Sequence, residues 1–221
     1  MNARISKFES LGALDGPGIR YVIFFQGCPL RCAYCHNPET WDINGGQEYT
    51  LDEVYKKIMR HKSYFGANGG VTFSGGEPLL QAEFLTALAV KLKEQGINTA
   101  LDTSGCIIND SVLQLINEVD LVLLDIKMTN NEDYVKYTKC IFDRVTGFLK
   151  LLEKAGKDTI IRQVIVPTIN DDDKNKTKLK EICKSYKCVK KTEFLPFKKL
   201  CIEKYDRLGI VFPFRDILEK E

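Results

Sequence analysis

Three cysteines fall within eight residues: Cys28, Cys32 and Cys35, spaced C-x3-C-x2-C in the stretch Gly27-Cys28-Pro29-Leu30-Arg31-Cys32-Ala33-Tyr34-Cys35-His36-Asn37. An apolar run, Tyr21-Val22-Ile23-Phe24-Phe25, comes just before them and reads as a buried strand. Thiolates gathered on a loop beyond a strand end can converge on one metal centre. A zinc site would need His36 as its fourth ligand beside Cys35, and adjacent residues have difficulty reaching one tetrahedral ion. The run Cys32-Ala33-Tyr34-Cys35-His36 also matches C-x-x-C-H, the covalent haem pattern. That attachment normally follows export, and the N-terminus shows no hydrophobic signal region. The third reading is an iron–sulfur cube. Such a cluster ordinarily takes four thiolates, so three would leave one iron open to a small molecule. This reading suits the residues best.

The elements that must position this loop alternate along the chain. Strand-like runs recur at Gly70–Phe73, Asn98–Leu101, Leu121–Leu124, Ile160–Val166 and Thr192–Leu195. Between them lie helical stripes: Leu51, Val54, Tyr55 and Ile58 after the capping box Thr50-x-x-Glu53; Leu80, Phe84, Leu88 and Leu92 up to Gly96; a helix opened by Asp110. Two more stripes follow, through Val145 to Leu152 and through Leu179 to Tyr186. Six β/α units in sequence argue for parallel strands joined by right-handed crossovers. A closed eight-stranded barrel needs more chain, so the expected fold is α/β, a partial, open six-stranded parallel barrel. At 221 residues and 44% hydrophobic, a single domain is expected, with its core over about 8–200 and a short tail over 201–221.

A net charge of +2 gives no reason to expect nucleic acid, and no apolar run reaches membrane-spanning length. Eight cysteines without an export signal read as cytosolic thiols. Cys106, Cys140, Cys183, Cys188 and Cys201 show no tight ligand spacing.

Polar residues cluster where the strands end, which is where barrel-type sheets place their chemistry. The second strand runs into Ser74-Gly75-Gly76-Glu77, the third into Asp102-Thr103-Ser104-Gly105 and the fourth into Asp125-Ile126-Lys127. The fifth carries Arg162 and the sixth leads to Lys198. Singly, each has a plain structural account: a glycine turn, an Asx turn, a local ion pair. Together they form a ring of charge on one rim.

With Gly16-Pro17-Gly18-Ile19-Arg20 upstream and Asn37-Pro38-Glu39 downstream, the cysteine loop resembles the signature of radical S-adenosylmethionine (SAM) enzymes, in particular those that activate glycyl-radical enzymes. The resemblance runs from Phe8 to about Leu200. It implies a 4Fe–4S cluster on Cys28, Cys32 and Cys35, and reductive cleavage of SAM to methionine and a 5′-deoxyadenosyl radical. That radical would take a hydrogen from a glycine of a partner enzyme. By the same resemblance Gly75, Gly76 and Glu77 would meet the methionyl amine, the glycines leaving room for it. Tyr34, Cys35, His36 and Asn37 would hold the adenine, and Asp125, Ile126 and Lys127 would contact SAM, with Arg162 and Lys198 completing the set. Asp102, Thr103 and Asp125 match positions for a monovalent cation beside the SAM carboxylate. Asp15 and His36 flank the loop and would meet the incoming target.

Relatives acting on other glycyl-radical enzymes often insert further cysteine-rich clusters after the first; residues 38–73 hold no cysteine. The expected target is therefore pyruvate formate-lyase, the electron donor flavodoxin or ferredoxin, and the enzyme a monomer of the cytoplasm in anaerobic metabolism. A radical SAM enzyme for a small molecule and a zinc-binding structural module are the alternatives. One position departs from the family pattern: Leu195-Pro196-Phe197-Lys198 stands where relatives carry Leu-Pro-Tyr-His, and lysine offers donors but no acceptor. The tail after Leu200 is also shorter than the resemblance leads one to expect.

Overall fold

The apolar run before the cysteines is strand β2 (Arg20–Phe25), and every residue in it is buried. The structure, a computed structural model, describes residues 1–215. Residues 216–221 of the expected tail lie outside the described residues. Five further strands follow the sequence expectation: β4 (Gly70–Gly75), β5 (Asn98–Thr103), β6 (Leu121–Asp125), β7 (Thr159–Ile165) and β8 (Val189–Pro196). They lie beside β2 in chain order, all parallel, as an open sheet. Two strands were not foreseen. β1 (Asn2–Gly12) pairs antiparallel with β2, and β3 (Gln47–Thr50) pairs antiparallel with β1. The sheet thus has eight strands, six of them the expected parallel set, and it begins at Asn2 rather than near Phe8.

The helices cover the sheet with their apolar stripes. α1 (Leu51–Met59) opens with the expected capping box: Glu53 N–H donates to Thr50 Oγ1 at 3.3 Å and Thr50 N–H to Glu53 Oε2 at 2.8 Å. α2 (Ala82–Lys93) buries Phe84, Leu88 and Leu92. Leu80 belongs to the 3₁₀ turn Pro78–Gln81 ahead of it and is exposed, because Pro78 starts a tighter turn there. α3 (Asp110–Glu118) is capped by Asn109, whose side chain accepts from Val112 N–H, so Asp110 is its first helical residue and not its cap. α5 (Phe142–Lys154) carries the expected stripe, and α6 (Asp173–Lys184), capped by Asp172, carries Leu179 to Cys183 of its own, ending before the expected Tyr186. α4 (Asn131–Thr138) and α7 (Ile202–Leu208) are short additions whose packing the periodicity did not announce.

Arg20 explains part of the upstream motif. Its guanidinium is fully buried and donates from Nε to Thr72 Oγ1 (2.8 Å), from Nη1 to Asn98 Oδ1 (2.9 Å) and from Nη2 to the Val71 carbonyl (2.6 Å). Thr72 in turn donates to the Asp15 carbonyl (2.6 Å), which fastens the loop carrying Leu14 and Asp15 across the sheet. Gly18 adopts φ +71°, and a Cβ there would meet Gly69 N at 2.5 Å, so the turn requires glycine. Burial is the largest influence on Arg20 and pulls its pKa down to about 10, so the donors it finds are what keep the charge tolerable. Replacing Arg20 with Met removes the buried donors to the Val71 carbonyl and Thr72 Oγ1, and the tie to the exposed Asn98 side chain. We expect a loss of more than about 3 kcal/mol in chemical denaturation. A variant within about 0.5 kcal/mol of the parent would show the network to be dispensable.

Candidate active site

The cysteine loop leaves β2 through Gly27, at φ +95°, and is fixed by backbone hydrogen bonds on three sides. Gly27 N–H donates to the Thr40 carbonyl (2.9 Å), closing the loop on itself. The Gly27 carbonyl accepts from Glu77 N–H (2.8 Å), which joins the loop to the glycine turn after β4. Arg31 and Ala33 N–H groups donate to the Thr138 and Tyr137 carbonyls (3.0 and 2.8 Å) at the end of α4. From the other side Lys204, on α7, donates from its ammonium to the His36 carbonyl (2.8 Å), Asn37 Oδ1 (2.8 Å) and Glu39 Oε1 (2.6 Å).

Cys28, Cys32 and Cys35 all line one cavity of about 530 Å³ at the carboxyl ends of the strands. Burial pushes all three thiols up, Cys32 to about 12, so a thiolate set here calls for a positive centre to stabilise it. Asn37 N–H already donates to Cys35 Sγ at 3.4 Å, a contact that favours sulfur bearing negative charge. Among the described residues no three His, Cys, Asp or Glu side chains gather tightly enough for a single metal ion. Three thiols that line one cavity are placed as a cluster held by three cysteines requires.

The opposite wall carries the strand-end residues. Asp102 accepts from Ser74 Oγ (2.7 Å) and pairs with Arg162 (3.4 Å); Asp125 pairs with Lys127 (3.0 Å). Asp125 and Arg162 are direct neighbours across β6 and β7. Burial pushes the Asp102 carboxyl up to about 6 against the pull of Arg162. Among the described residues, Arg162 Nε is buried with no partner. Burial, aided by the nearby Lys127 cation, holds His36 below its usual range and thus neutral at pH 7.

Of the residues singled out from sequence, Asp15, Tyr34, His36, Asn37, Gly75, Gly76, Asp102, Thr103, Asp125, Lys127, Arg162 and Lys198 line this cavity with the three cysteines. Glu77 and Ile126 do not. Ile126 is wholly buried in the core. The Glu77 carboxylate turns away and accepts from Thr103 Oγ1 (2.6 Å), Ser104 N–H (3.0 Å) and Ser104 Oγ, making it a brace under the glycine turn. Thr103 thereby commits its hydroxyl to Glu77, not to the carboxylates with which a cation site would group it. Gly76, which lines the cavity as expected, meets a structural need as well. A Cβ there would meet the Gly27 carbonyl oxygen at 2.3 Å and Cys28 Cβ at 3.1 Å, so its bareness first serves the cysteine loop.

At the departure from the family pattern, Lys198 N–H donates to His36 Nε2 (3.3 Å) and the Phe197 ring lies 5.0 Å from the His36 ring. Sequence reasoning missed the apolar lining, Leu14, Phe24, Leu30, Trp41, Val164 and Leu195. It also missed Lys204; a lysine in a short tail gives no local sign of its distant partners.

Residues 14–139 match the family model of a 4Fe–4S single cluster domain. The chain is 48% identical to the pyruvate formate-lyase-activating enzyme of Clostridium pasteurianum, over 99% of this chain and 92% of that one. It is 42% identical to the enzyme of that name from Staphylococcus aureus (strain USA300), over 98% and 90%. The chain belongs to the pyruvate formate-lyase-activating enzyme family. The fold is shared with Streptococcus suis SuiB bound to S-adenosylmethionine, at TM-score 0.64 and 16% identity over 80% of this chain and 42% of that one.

For this family member, the geometry at Gly76 makes a sharp prediction. Gly76→Val should displace the Gly27–Cys28 backbone and lower iron and acid-labile sulfide after anaerobic reconstitution to well under half of the parent's content. Full cluster content in the folded variant would show that the close approach is not needed to hold Cys28.

Proposed function

We propose that this protein activates pyruvate formate-lyase by removing a hydrogen atom from the Cα of one of its glycines, using SAM as the radical source. The observation that carries the reading is that Cys28, Cys32 and Cys35 face the same cavity as the Gly75-Gly76 turn and the strand-end charges. When bound, a 4Fe–4S cluster supplies the electron that splits SAM into methionine and a 5′-deoxyadenosyl radical. Cys28, Cys32 and Cys35 would hold the cluster. Gly75 and Gly76 leave main-chain groups uncovered on the cavity wall, where an ammonium could approach. Arg162 and Lys127 offer positive charge to a carboxylate, and neutral His36 with Asn37 borders the space for an adenine. Asp15 sits on the loop fastened by Arg20 and Thr72, at the side where a target loop would enter. Flavodoxin or ferredoxin would deliver the electron, and the enzyme would act as a monomer.

The test is an anaerobic mixture of reconstituted protein, SAM, a reductant and pyruvate formate-lyase, followed by electron paramagnetic resonance. We expect a glycyl-radical doublet on the partner. It should vanish with Cys32→Ala and persist with Cys183→Ala, whose thiol is buried among core side chains elsewhere. Methionine release with no glycyl signal would move the assignment to a small-molecule substrate.

A monovalent cation at the carboxylate pair is a separate part of the proposal. Asp102 and Asp125 each already have a cationic partner, so the need arises only when the SAM carboxylate adds another negative group. Rates should then differ between sodium and potassium at matched ionic strength, and Asp125→Asn should blunt the difference. Equal rates in sodium, potassium and a bulky organic cation would leave Arg162 and Lys127 as the sole counter-charges.

A further inference from the structure

Two cysteines outside the cluster loop lie together. Cys106 follows the turn Ser104-Gly105 after β5, and Cys140 follows α4; both are buried and both line a second, open cavity of about 310 Å³. Pro29 and Leu30 of the cysteine loop form one side of this cavity, and Lys139 and Arg144 another. Cys106 Sγ lies 3.9 Å from Glu77 Oε2 and Cys140 Sγ 3.6 Å from the Ile141 carbonyl oxygen, and each thiol is the largest influence on the other, raising Cys106 and lowering Cys140. Their backbones are fixed. Gly105, at φ +65°, packs against Leu124 and Phe148, and Cys140 N–H donates to Thr138 Oγ1 (3.1 Å). Two neighbouring thiols bordering one open cavity, the one lowered and the other raised, have the arrangement of an attacking and a resolving cysteine.

We propose that Cys106 and Cys140 form a peroxide-reactive dithiol, a modification site separate from the three cluster thiols, in which Cys140 attacks and Cys106 resolves. The Cys140 thiolate attacks one oxygen of hydrogen peroxide; an S–O bond forms, the O–O bond breaks, and the leaving hydroxide takes up the thiol proton as water. The Cys106 sulfur then attacks the sulfenic sulfur; the S–S bond forms, the S–O bond breaks, and the hydroxyl leaves with the Cys106 proton as a second water. Two thiols are oxidised by two electrons and one peroxide is reduced to two waters. The new bond would tie the β5 turn, whose Ser104 holds Glu77, to the segment whose Tyr137 and Thr138 carbonyls hold Ala33 and Arg31. Cys106 Sγ already lies 3.9 Å from Glu77 Oε2. Oxidation here is therefore placed to reach the cysteine loop from behind.

The test is peptide mass mapping of the cluster-loaded protein after a limiting dose of hydrogen peroxide and alkylation of remaining thiols. Iron content is followed separately, so that cluster loss is not mistaken for disulfide formation. The expected result is a Cys106–Cys140 cross-linked peptide, reversed by dithiothreitol, formed before Cys183 or Cys188 loses its alkylation tag. In a Cys106→Ser protein the reaction should stop at a Cys140 sulfenic acid that dimedone traps. Full alkylation of Cys140 after peroxide, or its cross-linking to a different cysteine, would overturn the proposal. So would a folded Cys106→Ser protein giving no dimedone adduct at Cys140.

Discussion

The Glu77 carboxylate is the constraint on which the site depends. It has no solvent exposure, and an isolated buried carboxylate costs several kcal/mol. Burial drives its pKa up, while Thr103, Ser104 and Leu79 donors pull it down by solvating the charge. Those donors come from two loops. Its own backbone N–H reaches a third, at the Gly27 carbonyl. One residue therefore ties the glycine turn, the end of β5 and the start of the cysteine loop to one another. Gly76 follows from this: only a residue without Cβ can lie against Gly27 when Glu77 is held so close.

The far side of the cysteine loop is held by the segment beyond β8. Lys204 is a compact cation that satisfies three acceptors around residues 36–39 at once, and its half-buried position strengthens each bond. Behind it the aromatic rings form a continuous backing. Trp41 meets Tyr205 edge-on at 5.9 Å, Tyr205 meets Phe212 at 5.0 Å, and Phe212 stacks on Phe197, which in turn faces His36. Such rings contribute large buried area with defined relative orientation. The tail from Phe197 to Phe214 is thus part of the wall of the site.

How much of this was legible depends on distance along the chain. The parallel strands were readable because β2, β4 and β6 are short, largely buried apolar runs ending at polar or glycine residues, and β5, β7 and β8 recur between helical stripes at the same spacing. β1 and β3 were not: β3 is a four-residue edge strand, and β1 beside it is exposed over much of its length, so neither leaves a clear apolar pattern. Cys28, Cys32 and Cys35 announce themselves by spacing. Glu77 shows the opposite case: its place in Gly-Gly-Glu was clear, but the direction of its side chain is set by Thr103 and Ser104 on another strand. Lys204 and Glu39 are 165 residues apart, and no local pattern connects them.

The composition of the cavity also limits what it can hold. Asp15, Asp102 and Asp125 face Lys127, Arg162 and Lys198, three negative groups against three positive ones. With no surplus of positive charge, a polyphosphate would be drawn in poorly. A molecule carrying ammonium, carboxylate and sulfonium together can use both signs, and its single net positive charge is tolerated by carboxylates already in place. The remaining wall, Leu14, Phe24, Leu30, Trp41, Val164 and Leu195, is apolar. It excludes water, which strengthens every ionic contact on the polar side and leaves a reactive carbon centre few neighbours other than the intended one. On the proposed reading, the polar half would select and orient the ligand, and the apolar half would protect what is made from it.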